Sequence, residues 1–154
     1  MRERGVTRKN HTVKTTYHHG RLRRALIEAA GTLVDIRGLE AVSLRAAAKR
    51  AGVSEAAPYR HFANGAALRA AVAAEGFGIL QADLDLAFDD EGRAAAYLTF
   101  ARDYPGRYRL MFGAAETGAE VAALAEELGG ADRLAALHGR ALLEIGGLWP
   151  ETVR

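Results

Sequence analysis

Residues 43–62 read SLRAAAKRAGVSEAAPYRHF, and this stretch predicts two short helices separated by a tight turn. Ser43 is a good N-cap for the first helix, whose alanine-rich run favours helix, and Gly52 is placed to end it. Ser54 caps a further helix, which the pattern predicts over residues 55–62. Two short capped helices around a tight turn are typical of the helix-turn-helix motif.

A small apolar core can hold these two helices at a fixed angle. Leu44, Ala48 and Val53 are placed to form it, and either Tyr59 or Phe62 closes it together with the preceding helix. The alternative is an ordinary helical hairpin inside a bundle. Capped helices, a glycine turn and local positive charge occur together here, which favours the helix-turn-helix.

Helical periodicity continues on both sides of the motif. The N-terminal residues 1–16 lack periodicity and are predicted to form a flexible arm. The predicted flanking helices cover residues 17–37, 64–88, 93–104, 119–128 and 132–146, with a short helical turn around 108–112. Asn64 is expected to cap the second of these helices, and Phe88 is expected on its apolar face.

Composition excludes several classes of protein. The chain has 154 residues, of which 49% are apolar and 26% charged, enough for a packed core. Cysteine is absent, which excludes disulfides, a thiol nucleophile and cysteine metal sites. No apolar run approaches the roughly 20 residues of a membrane span, and no signal peptide is recognisable. We therefore expect a soluble, cytoplasmic, all-helical protein.

Charge is distributed unevenly along the chain. Residues 1–62 hold 13 Lys/Arg and 5 Asp/Glu, a net charge of +8, whereas residues 63–154 hold 8 and 14, a net charge of −6. A basic N-terminal part on an acidic remainder indicates a surface that binds a polyanion. The alternative is a solvated basic tail without a specific partner.

The stretch 43–62 closely resembles the DNA-binding segment of TetR-family transcriptional regulators. The opening YHHGRLR at 17–23 and the tail APYRHF at 57–62 resemble one branch of that family, whose ligand-binding half carries Trp, His and Gly motif residues. YLTFARDYPGRYRLMFG at 97–113 resembles the middle of that half, and the sequence LHG at 137–139 resembles its end.

The resemblance implies an all-α fold with two parts. A three-helix, helix-turn-helix DNA-binding domain is expected over 17–63, followed by a compact helical effector-binding and dimerisation domain over 64–154. The chain departs from the family pattern at Gly65, where a basic residue is usual, and it lacks the tryptophan expected shortly before His138. The segment between Gly113 and His138 is also shorter than in this branch.

The resemblance further implies which residues face DNA. Arg45 is at a position that can reach a base edge, where arginine pairs with guanine O6 and N7; a phosphate contact or a solvated charge is the alternative. Tyr59 and His61 match positions that touch phosphates, and the two alanines 56 and 57 allow close approach to a thymine methyl. The expected DNA-binding residues are Ser43, Arg45, Ser54, Glu55, Ala56, Ala57, Tyr59, Arg60 and His61.

An aromatic and methionine cluster in the second half is expected to line an apolar ligand pocket, with plain core packing as the alternative. Its members are Tyr97, Phe100, Tyr104, Tyr108, Met111, Phe112 and His138. The two terminal helices are expected to form a four-helix interface in a homodimer, whose two-fold axis matches a palindromic operator in double-stranded DNA.

These features predict a sequence-specific regulator, a homodimeric repressor released by a small apolar or aromatic effector, without a cofactor. Two alternatives stay open: a ligand-independent DNA-binding or architectural protein, and a ligand-binding dimer that has lost DNA binding. An enzyme is disfavoured, because no Ser-His-Asp set, phosphate-cradling loop or dinucleotide fingerprint is present. No metal site is expected, because His11, His18 and His19 lack partners at helical ligand spacing.

Overall fold

A computed structural model describes residues 14–113 and 118–149, with side chains from residue 20 onward. All regular structure in these residues is helical, so the predicted all-α class is confirmed. The α-helices are α1 (Lys14–Arg37), α2 (Leu44–Ala51), α3 (Gly65–Asp85), α4 (Asp90–Asp103), α5 (Pro105–Gly113), α6 (Gly118–Glu127) and α7 (Ala131–Ile145). Short 3₁₀ helices occur at Leu39–Ala41 and Ala57–Arg60. Within the described ranges, no helix combines the length and the apolar character that crossing a membrane requires.

The caps predicted at Ser43, Gly52 and Asn64 are confirmed. The cap predicted at Ser54 is wrong, because the 3₁₀ helix beyond it has Ala56 at its N-cap and no side-chain cap bond. Ser43 Oγ accepts a hydrogen bond from the Ala46 backbone N–H at 3.1 Å, which fixes the start of α2. Gly52 ends the helix in the left-handed conformation at φ 70°, which suits a residue without a Cβ. Asn64 Oδ1 accepts from the Ala67 N–H at 2.9 Å and starts α3. Local side-chain chemistry therefore sets the ends of the helices that flank the turn.

A single apolar core runs through the described residues, from α1 to α7. Helix α1 packs against α2, α3 and α5, and α7 packs against α4 and α6. Core side chains that are almost completely buried include Leu26, Val34, Leu68, Val72, Leu80, Leu84, Tyr97, Phe100, Tyr108 and Met111. The N-terminal helices and the C-terminal helices thus share one core.

Helices α1 and α5 approach each other closely at Gly106. A Cβ built on this glycine would overlap the backbone carbonyl of Val34 in α1. Only glycine lets the first turn of α5 lie this close to α1, because the obstacle is backbone and cannot rotate away.

Three predicted boundaries are wrong. Helix α1 begins at Lys14, inside the predicted arm, whose residues 1–13 lie outside the described part. Helix α3 ends at Asp85, and Phe88 is fully exposed rather than in the core. Helix α4 begins at Asp90 rather than at residue 93, because Asp89 Oδ1 caps it by accepting from the Gly92 N–H at 2.7 Å.

The predicted α-helix over residues 55–62 is also wrong. A turn at 55–56 leads into the 3₁₀ helix Ala57–Arg60. Pro58 has no N–H to donate to the Ser54 carbonyl, so an α-helical bond cannot form there. The Ala57 N–H donates to that carbonyl instead, at 3.0 Å, in the tighter 3₁₀ pattern. The short turn predicted around 108–112 is part of the longer helix α5.

Candidate nucleic-acid interface

Phe62 closes the small apolar core of the helix-turn-helix. This ring is 3% exposed and packs in the core with Leu44, whereas the Tyr59 side chain is 65% exposed. The Arg23 guanidinium of α1 lies over the Phe62 ring, 5.4 Å from its centroid. Phe62 therefore fixes the motif against α1, and Tyr59 is left available to an external partner.

The residues expected to bind DNA are mostly at the surface of this motif. Seven of them are exposed, namely Ser43, Arg45, Ser54, Glu55, Ala56, Tyr59 and Arg60, whereas Ala57 and His61 are half-buried. We call these nine residues the recognition surface. Ser43 also caps α2, so its oxygen already accepts one hydrogen bond.

The structure brings two members of the recognition surface into direct contact. Arg45 Nε in α2 donates to Glu55 Oε1, beyond the turn, at 2.8 Å. Both side chains remain open to solvent, with 77% of the Arg45 side chain and 64% of the Glu55 side chain exposed. The exposed Lys49 and Arg50 add positive charge in the last turn of α2. Exposed cations around a helix-turn-helix can bind a phosphate backbone.

A second cluster of polar side chains lies in the C-terminal helices. The hydroxyls of Tyr97 and Tyr108 are 2.8 Å apart, and the Tyr108 hydroxyl lies 2.6 Å from His138 Nδ1. Burial raises the pKa of Tyr97 to about 12 and raises that of Tyr108 further, while it lowers the pKa of His138. These shifts favour the neutral form of all three groups, and Nδ1 of a neutral imidazole can accept a hydrogen bond from the Tyr108 hydroxyl.

Of the remaining residues of the expected pocket, Phe112 packs against this cluster. Phe112 lies 4.9 Å from the Tyr108 ring and 4.5 Å from the His138 ring, centroid to centroid. Phe100 and Met111 are buried, and Tyr104 is 5.3 Å from Phe100. Phe112 therefore belongs to the cluster, and Phe100 and Tyr104 contact each other. A ligand-binding role for the seven residues stays a prediction.

An open cavity of about 840 Å³ lies between α3, α5 and the start of α6. Its walls include Leu39 near the motif, the apolar side chains of Phe77 and Leu110, and the arginines 69 and 109. Phe77 is 5.9 Å from Phe112, which connects this cavity to the aromatic cluster. Phe77 was not among the predicted pocket residues, although its spacing of seven residues from Ala70 places both on one face of α3.

Comparison with known proteins points in the same direction. The model of the N-terminal part of the bacterial regulatory proteins of the tetR family matches residues 26–72. A protein of unknown function from Rhodococcus sp. RHA1 is 31% identical, with 88% of each chain covered and a TM-score of 0.66. No curated protein matches the chain significantly.

A TetR family transcription regulator from Marinobacter aquaeolei VT8 shares the fold. It is 16% identical over 89% of this chain and 90% of its own, with a TM-score of 0.56. The family match covers the second half of α1, the helix-turn-helix and the first part of α3. The recognition surface lies on the helix-turn-helix. Residues 26–72 therefore carry the N-terminal domain of the tetR family of bacterial regulatory proteins.

Proposed function

We propose that this chain is a homodimeric repressor that binds a palindromic operator and is released by a small apolar or aromatic effector. The observation that carries the proposal is the exposed recognition surface on a helix-turn-helix that the core holds rigidly. A rigid, basic, solvent-exposed motif of this kind can enter the major groove of a duplex. Its place of action is the cytoplasm, where the bacterial chromosome lies.

Each part of the recognition surface has its own role in this proposal. Arg45 reads a base edge, and the turn with its two alanines, 56 and 57, approaches the groove closely. Tyr59 and His61, together with the other polar side chains, contact phosphates and set the register. The other phosphate contacts would come from the surface side chains Ser43, Ser54 and Arg60. Glu55 is acidic, so its role depends on Arg45.

The dimer in this proposal forms through α6 and α7. On α7, Leu142 and Leu143 are 43% and 41% exposed, and Gly139 is also exposed on this helix. Small exposed residues on α6 extend this apolar surface, namely Ala119, Ala122 and Ala123. Apolar side chains beside small residues allow two helix pairs to pack closely, and a two-fold interface presents two recognition surfaces to two half-sites.

The effector in this proposal binds in the cavity between α3 and α5. Phe77 and Leu110 offer it apolar walls, and Leu39 connects the cavity to the segment between α1 and α2. Through the contact between Phe77 and Phe112, an occupant can also displace the aromatic cluster around His138. A ligand releases DNA only if it prefers a different arrangement of the two DNA-binding parts, and a site beside both parts can supply that preference.

Selection of bound duplexes from a random pool tests the proposal. The purified chain is used at about 0.15 M salt, where weak phosphate contacts are screened. We expect a palindrome to be enriched, and small aromatic or apolar compounds to release the chain from it. Binding that shows no sequence preference would contradict a sequence-specific repressor, and an operator complex that no compound weakens would contradict the effector.

A further inference from the structure

We propose that Glu55 is a positioning residue that aims Arg45 at a guanine, so that this exposed pair raises operator specificity at the expense of general DNA affinity. The inference rests on the proposed DNA-binding function and assigns the source of its base preference. It follows from the atoms that join the two side chains and from the arginine nitrogens that this contact leaves available to DNA.

The pair leaves the reading end of the arginine available. Glu55 Oε1 accepts from Nε of Arg45, the donor nearest the backbone in the guanidinium group. Within residues 20–113 and 118–149, no other polar contact of Arg45 is observed. The two terminal nitrogens can therefore both donate to guanine O6 and N7, which is the bidentate pairing that distinguishes guanine from the other bases.

The contact is not required to hold the fold. Both side chains are mostly exposed, and ion pairs exposed to solvent contribute little to stability. The elements that carry the two residues are fixed by other contacts, including the Ser43 cap and the burial of Phe62. Both residues belong to the recognition surface, so we assign their contact a role in DNA binding rather than in folding.

Tethering the arginine favours recognition. A free arginine side chain samples many rotamers and loses that freedom when it binds a base. The bond to Glu55 restricts the guanidinium plane before DNA arrives, so less freedom is lost on binding and a misplaced base is tolerated less.

Glu55 also has an effect that does not depend on sequence. Its negative charge repels the phosphates of any duplex that approaches the recognition surface. Only a duplex with guanine at the right position compensates for that repulsion through Arg45. Removal of the carboxylate should therefore weaken the preference for guanine and strengthen binding to unrelated duplexes.

The test measures affinity for the selected operator, for operators with each guanine replaced in turn, and for an unrelated duplex. Arg45→Ala should lower the preference for one guanine by about tenfold or more. Glu55→Ala should lower the preference at the same position by about three- to tenfold, and should bind the unrelated duplex about twofold or more tightly. Glu55→Gln keeps an acceptor for Nε and should retain most of the guanine preference.

Two control variants distinguish the positioning role of Glu55 from a general charge effect and from an effect independent of Arg45. Glu40→Ala removes the same charge from another exposed carboxylate, and it should leave the guanine preference unchanged. The double variant Arg45→Ala/Glu55→Ala should lose no more guanine preference than Arg45→Ala alone, because Glu55 acts through Arg45. A loss at a second base position in Glu55→Ala would instead mean that Glu55 reads a base itself, and would overturn the positioning role.

The outcomes distinguish this inference from the proposed function beneath it. If the native chain enriches no sequence, the sequence-reading function itself fails. If the native chain reads guanine and Glu55→Ala reads it equally well, the function stands and the role of Glu55 is overturned. Circular dichroism and thermal unfolding of each variant show whether a lost preference comes from lost folding.

Discussion

The Asp35 carboxylate in α1 holds the first turn of α5 through Arg107. Its Oδ1 accepts from the Arg107 backbone N–H at 2.8 Å, and its Oδ2 lies 3.0 Å from Arg107 Nε. Glu75 of α3 lies 3.6 Å from Nη1 of the same guanidinium, whose residue is 7% exposed. A buried ion pair thus connects the helix that supports the helix-turn-helix to the C-terminal helices, beside the close approach at Gly106.

Loss of the arginine from this joint should destabilise the protein. Arg107→Met leaves Asp35 half-buried without its cation, and we expect a loss of about 3 kcal/mol in the free energy of unfolding. Burial raises the pKa of Asp35 and Arg107 opposes that rise, so the loss should shrink at acidic pH, where the carboxyl binds a proton. Urea unfolding at pH 7 and pH 4.5 measures both effects. A variant as stable as the native chain at pH 7 would contradict the role of the pair.

Two glycines of the C-terminal helices should respond oppositely to alanine. Gly106→Ala places a methyl against the Val34 carbonyl and should cost about 1–3 kcal/mol of unfolding free energy, since the α1–α5 distance must increase. Gly78→Ala, in the interior of α3 with no atom near its Cβ, should stabilise by about 0.5–1 kcal/mol. Thermal unfolding compares the two variants with the native chain. Equal effects of both substitutions would contradict the close approach.

The half-buried His138 should make stability depend on pH. Burial lowers the pKa of His138 in the folded state below the ordinary value of 6.5, so the unfolded chain binds a proton more readily. The contribution of His138 to the free energy of unfolding is therefore complete near pH 7 and above. It is lost as the pH falls through 6.5 toward the folded-state pKa. His138→Asn keeps an acceptor for the Tyr108 hydroxyl but does not titrate. We expect a flatter pH dependence of its unfolding free energy between pH 7.5 and 5, and an identical dependence would contradict the shift.

The proposed dimer surface can be tested by one charge on α7. Leu143→Glu places a carboxylate in the apolar surface of α6 and α7 and should raise the dimer dissociation constant by about tenfold or more, because a buried unpaired charge is strongly unfavourable. Leu86→Glu is the matched control, since Leu86 is 76% exposed and lies just beyond α3. Sedimentation velocity over a dilution series measures both variants. Dissociation caused equally by both substitutions would place the interface elsewhere.

The sequence was sufficient to predict features that depend on neighbouring residues. Ser43, Gly52 and Asn64 act on backbone groups within four positions of themselves, so their capping roles are readable from the order of residues alone. The composition of residues 43–62 predicted the helix-turn-helix in the same way. The nine residues of the recognition surface stay a prediction for DNA contact, although the structure shows most of them to be exposed.

Features that depend on distant residues or on competing local effects were harder to predict. Pro58 lacks the N–H that the α-helix predicted over 55–62 requires. Asp89 caps α4 and starts it earlier than predicted, although Gly92, a poor helix former, lies in its first turn. The partner of Arg107 lies 72 positions away in the chain, so no local pattern indicates that this charge is buried. The contact between Arg45 and Glu55 likewise depends on how tightly the turn folds back.

In the proposed function, two copies of this chain read one operator together. The most direct measurement compares the selected palindrome with a duplex of equal length that keeps one half-site, using affinity and sedimentation stoichiometry at the same salt concentration. We expect two chains on the palindrome and an affinity at least about tenfold higher than for the half-site duplex, because both recognition surfaces then engage bases. One chain per duplex with equal affinity for both would contradict a dimeric operator-binding regulator.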